Sequence, residues 1–332
     1  MKRPINRNDV AKRAGVAPST VSHAMNGTKF VSEAVKARVF QAVKELDYEP
    51  NLLAKSVRVS STRQISVLIS ALDNFDEFYR GMYEVAFEAG YRLSVIIAND
   101  KRADYYGDCY AYRSEGIVNM SRFFCSEQNY RKFIEHEIAV VNVISGKDSF
   151  EVSLNYAPAI EAFVQDLKRK NRSRVAFIAD TSKTEIEPDT RYIAMRYYAE
   201  KYGVGFEESL LRCFEENTVT LNPSEFGYRS IADILQNRSD VDAVYCVNDY
   251  IAMGVYKYLF EIGKKIPQDI SVCGCDNILS GEYTCPALST MSVDRAEFGR
   301  SCMKSILSQL HGDKNLEKKR ILYASYLPRQ SV

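Results

Sequence analysis

The sequence predicts a small all-α helix-turn-helix headpiece joined to an α/β body of two doubly wound parallel-sheet lobes. Three observations carry this reading. Residues 1–63 hold 12 basic and 5 acidic side chains, a net +7, so the total charge of +1 leaves −6 on the remainder. Within that basic segment, apolar residues at helical spacing are interrupted at Gly15 and at Asn26-Gly27. From Ile65 onward, short apolar runs alternate with helix-length amphipathic stretches, which is the pattern of parallel βαβ units. At 332 residues the chain exceeds an average domain of ~150 and can bury more than one core. The charge split points to a polyanion-binding module carried on an acidic body.

The elements follow in order. Asn6 can cap a first helix whose Val10, Ala11 and Ala14 form a narrow apolar face, and Gly15 ends it. Pro18 sits where the first turn of a helix accepts proline, and Ser19 to Met25 continue until Asn26-Gly27 stops them. A third helix runs from Ser32, as N-cap, to Leu46, with Val35, Val39, Ala42, Val43 and Leu46 facing inward. Residues 1–50 thus form the headpiece. In the linker 51–63, Asn51 can cap a helix of barely two turns, too short to be stable alone in water. The body, 64–332, carries its apolar runs at 65–69, 93–97, 116–118, 139–143, 175–179, 243–247 and 270–275, with helices over Glu77 to Ala89 and Ile251 to Ile262. The run near 175 starts a second series, hence two similar lobes.

Residues Asp9-Val10-Ala11-Lys12-Arg13-Ala14-Gly15-Val16, Ser19-Thr20-Val21-Ser22, Asn26-Gly27, Val31-Ser32 and Leu46-Asp47-Tyr48-Glu49-Pro50-Asn51 resemble the headpiece of the lac repressor (LacI/GalR) family of bacterial transcription regulators. The resemblance implies a second helix lying in the DNA major groove. Pro18, Ser19 and His23 would then read bases, and Thr20, Ser22 and Asn26 would lie nearer the phosphates, with Asn6 also on the DNA side. His23 replaces the arginine common at its position, so a bidentate guanine contact is not available from it. Arg7 stands where the family usually has an apolar residue and can reach a phosphate. The resemblance also implies paired hinge helices in the minor groove, with Val57 at the intercalating leucine position. Asn51, Ala54, Lys55 and Arg58 would flank it, and valine makes a shallower wedge. For the body it implies a periplasmic-sugar-binding-protein-like core that crosses between lobes near Tyr156, Met291 and Arg320. Lobe one is then 64–156 with 292–320, and lobe two 157–291 with 321–332. A homodimer on a near-palindromic operator completes the expectation.

Chemistry other than binding finds little support. Gly203-Val-Gly205 has Glu208 where a dinucleotide loop needs its third glycine, and there is no P-loop, H-E-x-x-H or G-x-S-x-G. Three histidines and eight cysteines without a Cys-x-x-Cys give no metal or redox motif, so no cofactor, no metal and no catalytic residue is expected. No run of 18 apolar residues and no secretory signal appear, which points to the cytoplasm. In open parallel sheets ligands bind beyond the carboxyl ends of strands, here just after Val143, Ala179, Val247 and Cys275. Asn248 and Asp276 fall there, and the resemblance matches Arg191, Asn248 and Asp276, with Asn142, to effector-binding positions. A guanidinium, an amide and a carboxylate suit the vicinal hydroxyls of a carbohydrate. Phe75, with Phe78 and Tyr79, can stack on a sugar ring or pack in the core. The loop 70–75 and the segment 100–113 are shorter than in the family. A nucleobase or a protein co-repressor stays open as the controlling partner, and a carbohydrate-binding transport component is the rival from another class.

Overall fold

The computed structural model describes residues 5–49, 61–70, 75–98, 105–121, 127–143, 150–214, 222–313 and 317–332. It divides into two compact units, 1–63 and 64–332.

The first unit contains α1 (Arg7–Ala14), α2 (Pro18–Asn26) and α3 (Glu33–Glu45). The Asn6 side-chain oxygen accepts from the N–H groups of Asn8 (2.8 Å) and Asp9 (3.3 Å), and the Asp9 carboxylate accepts from Asn6 N–H (2.9 Å). This reciprocal cap fixes where α1 begins. Gly15 and Gly27, both at φ 65°, end α1 and α2 in the left-handed conformation that a Cβ disfavours. Val10, Ala11, Ala14, Val21, Ala24, Val31, Val39 and Ala42 close a small core, and Arg13 donates to Glu45 at 2.6 Å across α1 and α3. Asn51, Ala54, Lys55, Val57 and Arg58 lie outside the described residues.

The second unit opens with β1 (Gln64–Ile69), α4 (Asp76–Glu88), β2 (Arg92–Ile97), α5 (Tyr106–Ala111), β3 (Gly116–Met120), α6 (Glu127–Glu135), β4 (Ala139–Asn142) and β5 (Phe150–Asn155). It continues through α7 (Ala157–Arg169), β6 (Val175–Ser182), α8 (Lys183–Ile186), α9 (Thr190–Tyr202), β7 (Leu211–Phe214), α10 (Pro223–Asn237), β8 (Ala243–Cys246), α11 (Asp249–Glu261) and β9 (Ser271–Cys273). Last come α12 (Leu279–Glu282), β10 (Thr290–Ser292), α13 (Arg295–Leu310), β11 (Lys319–Tyr323) and β12 (Ser325–Leu327). One parallel sheet has the order β11-β5-β4-β3-β1-β2, another β7-β6-β8-β9, and β10 pairs antiparallel with β12.

Buried apolar strands such as β1, β4 and β8 are covered by helices on both faces, which is why they read as continuous runs. Both lobes use the same helix-crossing device. A Cβ on Gly81 of α4 would lie 2.0 Å from the Ala296 carbonyl oxygen, and one on Gly299 of α13 2.2 Å from that of Phe78. In the second lobe, a Cβ on Gly227 of α10 would meet the Ile251 oxygen at 2.1 Å, and one on Gly254 of α11 the Ser224 oxygen at 1.8 Å. Each helix pair therefore packs backbone against backbone.

The chain leaves the first sheet after Asn155 and returns to it through α13, which packs on α4. The last passage, expected near Arg320, is at Ala324 instead: β11 stays beside β5 through the Tyr323–Asn155 pair, and only then does β12 join β10.

Candidate functional site

On α2, Val21 and Ala24 turn into the small core. That rotation leaves Pro18, Ser19 and Asn26 exposed, with Thr20, Ser22 and His23 half-buried beside them. The six residues expected to face DNA from this helix therefore lie off its buried face. Three contacts set their orientation. Arg7 Nη1 donates to Ser22 Oγ at 2.8 Å, Asn26 Nδ2 donates to the Ser22 carbonyl at 2.8 Å, and His23 Nδ1 lies 2.8 Å from Thr28 Oγ1. Sequence reasoning passed over Thr28, whose only signal is its place just after the glycine that ends α2.

In the second unit, the effector candidates gather at the carboxyl ends of β6, β8 and β9. Arg191, the second residue of α9, forms a fork with the Asp189 carboxylate, including Nη2 to Oδ2 at 2.6 Å, while its Nη1 donates to the Val247 carbonyl at 2.8 Å. Its guanidinium also lies 5.4 Å from the centroid of the Tyr156 ring. Burial alone would raise Asp189, but the adjoining Arg191 outweighs it and holds the carboxyl below its ordinary value. Asn248 does two jobs: its Oδ1 caps α11 by accepting from Ile251 N–H at 2.8 Å, and its Nδ2 donates to Asp180 at 2.9 Å. Both the capping role and a place at the strand ends are thus realised in one residue.

Asp276, at φ 113°, follows β9 and makes an ion pair of 3.0 Å with Arg295, the first residue of α13. Arg295 is 7% exposed and sits 5.5 Å from the ring centroid of Phe78 on α4. Burial pushes the Asp276 carboxyl up, and Arg295 and Arg191 offset part of that rise. Because α13 and α4 belong with the first sheet and Asp276 with the second, this pair joins the two lobes. Behind it lies Asp249, which accepts from Thr290 Oγ1 at 2.7 Å and from Ile278 N–H at 2.8 Å, and which burial pushes up to about 7. Asp180, Tyr156 and Arg295 were missed as site residues in the sequence because each acquires its meaning from a partner distant along the chain.

Two expected members sit elsewhere. Asn142 ends β4 in the first lobe, buried, and its Oδ1 accepts from Asn119 Nδ2 at 2.8 Å; no hydrogen bond joins it to the Arg191–Asp276 group among the described residues. Phe75 is 8% exposed and packs in the first-lobe core with its ring 5.8 Å from that of Tyr79, so burial takes the face that stacking on a sugar would need. Two cavities of about 450 and 530 Å³ flank α8, lined in common by Lys183, Glu187, Glu208 and Leu211, and neither includes Arg191, Asn248 or Asp276.

Residues 8–51 match the family model of bacterial regulatory proteins of the lacI family, and residues 164–332 match the periplasmic binding protein-like domain. The chain belongs to the lacI family. Among curated lacI-family relatives, the HTH-type transcriptional repressor PurR of Yersinia enterocolitica is 28% identical over 340 residues, covering 98% of this chain and 96% of that protein. The ribose operon repressor of Haemophilus influenzae is 27% identical over 344 residues, with 98% and 97% covered. The fold is that of the lac repressor dimer bound to operator and an anti-inducer, at TM-score 0.83 and 19% identity over 99% of each chain. It is likewise that of a transcriptional regulator CelR–cellobiose complex, at TM-score 0.70 and 20% identity over 99% of this chain and all of the other. The protein is accordingly a lacI-family DNA-binding transcriptional repressor with an effector domain, and the family is not enzymatic. No helix among the described residues is long and apolar enough to cross a membrane.

Proposed function

We propose that this repressor binds a near-palindromic operator as a homodimer in the cytoplasm and that a carbohydrate or glycoside in its second unit controls it. Ser19 and His23, with Pro18, contact base edges from α2, while Thr20, Ser22, Asn26 and Asn6 face the backbone. The linker residues Asn51, Ala54, Lys55, Val57 and Arg58 fold against the minor groove on binding. The observation that carries the effector reading is the convergence of Arg191, Asn248 and Asp276 at the carboxyl ends of neighbouring strands, where open parallel sheets take ligands. Those groups offer donors and acceptors in the mixture that adjacent hydroxyls require. Asn142 and Phe75 are the weaker members of the set, for the reasons of burial given above.

A nucleobase is the second reading, favoured by the several relatives near 28% identity that carry the name PurR. A ligand acts on the equilibrium only through its differential affinity for two arrangements of the lobes. A thermal-shift screen of mono- and disaccharides alongside purine bases tests both readings, since a ligand confined to the native state raises Tm. Shifts with sugars that also change operator affinity support the proposal. Silence across all sugars with a response to a purine or to a protein partner overturns the carbohydrate assignment.

A further inference from the structure

The guanidinium of Arg7 lies between α1 and α2, where it has one hydrogen bond among the described residues, from Nη1 to Ser22 Oγ at 2.8 Å. Among the described residues its Nε is buried without a partner and Nη2 makes no hydrogen bond, while the side chain as a whole is half-buried. Packing does not account for this arrangement. An apolar side chain would fill the same seam and leave no buried donor unpaired. What the guanidinium adds is a charge and free donors on the outward side, next to a serine of the helix that reads DNA. It also changes what that serine can do. A serine inside a helix commonly turns its hydroxyl back to the carbonyl one turn earlier. Here a cationic donor occupies a lone pair of Oγ, so the hydroxyl hydrogen is polarised and available to an acceptor outside the helix.

We propose that Arg7 is a positioning and phosphate-anchoring residue of the DNA interface. Through Nη1 it orients Ser22, and through its outward Nη hydrogens it takes a backbone phosphate beside the one that Ser22 engages. The inference rests on the assignment of α2 to the major groove.

The test uses the full chain, an operator recovered from a random duplex pool, and a non-specific duplex of equal length, over a salt series. Each neutralised phosphate contributes about 0.9 to the slope of log K against log salt. Arg7→Leu is expected to lower that slope by about 1 per headpiece on both duplexes. Arg7→Lys keeps the charge but not the planar fork; it is expected to keep the slope and lower the affinity for both duplexes about tenfold, as Ser22→Ala does. Adding Ser22→Ala to Arg7→Lys should then weaken binding no further. An unchanged slope in Arg7→Leu, accompanied only by a lower headpiece melting temperature, overturns the inference and makes Arg7 a strut between two helices. If Arg7→Leu does not fold, Arg7→Lys decides: unchanged affinity for both duplexes overturns the positioning role. Failure of the wild type to bind either duplex would instead remove the assignment of α2 itself.

Discussion

Breaking the ion pair that joins the lobes should destabilise the second unit strongly, and restoring neutrality should recover most of the loss. Arg295 Nη2 lies 3.0 Å from Asp276 Oδ1, with the two side chains 8% and 25% exposed. At an effective dielectric constant of about 20, unit charges that close attract by roughly 5 kcal/mol, but each has given up water to be there. Burial already pushes the Asp276 carboxyl up with Arg295 in place. Arg295→Met keeps the stem against Phe78 and removes the charge, so the half-dry Asp276 loses the ion pair that offsets part of its burial. The expected cost is about 3 kcal/mol, the lower end for buried pairs, because Asp276 keeps some solvent contact. Asp276→Asn should cost a similar amount by isolating Arg295. The double variant should be within about 1 kcal/mol of wild type, which makes the coupling about 5 kcal/mol by difference, with a factor of two either way. Urea unfolding followed by circular dichroism measures this cycle, and the absence of tryptophan makes indole fluorescence unsuitable. Single-variant losses that add within about 0.5 kcal/mol would mean that the two charges are not coupled across the lobes.

Other outcomes follow from the same geometry. Asp249, raised by burial to about 7 against an unfolded value near 3.9, binds a proton in the native state that the unfolded chain lacks between those values. Stability should therefore fall as pH rises from about 4 to 7 and level off above, by roughly 3 kcal/mol between pH 5 and 8, and Asp249→Asn should flatten that slope in urea midpoints at the two pH values. Gly254→Ala, whose methyl would stand 1.8 Å from the Ser224 oxygen, should cost about 3 kcal/mol in thermal unfolding; a loss under about 1 would mean that α10 and α11 slide apart easily. His23→Ala should relax base preference in operator selections, whereas Lys55→Ala and Arg58→Ala should weaken binding on every duplex and flatten its salt dependence. Val57→Leu should tighten operator binding in anisotropy titrations; unchanged affinity would argue against a wedge at that position.

The headpiece was legible because its signals are local. Asn6, Gly15, Pro18 and Gly27 each act on the turn in which they stand, and the observed helices start and stop at them. The buried parallel strands were legible for another reason: with both faces covered, β1, β4 and β8 tolerate little but apolar residues. Strand β11 gave no such signal, since Lys319, Arg320 and Ile321 lie exposed on the outermost strand of its sheet, and the last crossing was placed four residues early for that reason. The three-residue strands β10 and β12 are too short to show a period. In the candidate site, the strand ends indicated Asn248 and Asp276, and the family resemblance added Arg191. The partners that hold them, Asp180 for Asn248 and Arg295 for Asp276, are tertiary contacts, invisible to spacing. Asp189 was the exception, adjacent in sequence and serving as the cap of α9.

The basic reading module is proposed to be controlled by ligand binding in the acidic body. Fluorescence anisotropy of a selected near-palindromic duplex, titrated with the full chain with and without a panel of mono- and disaccharides, tests it most directly. Saturable binding by a dimer, a clear preference over a scrambled duplex, and an affinity that at least one sugar changes about tenfold or more are expected, and Asp276→Asn should abolish the sugar effect. Equal affinity for both duplexes, or operator binding that no sugar alters while a purine does, would contradict it.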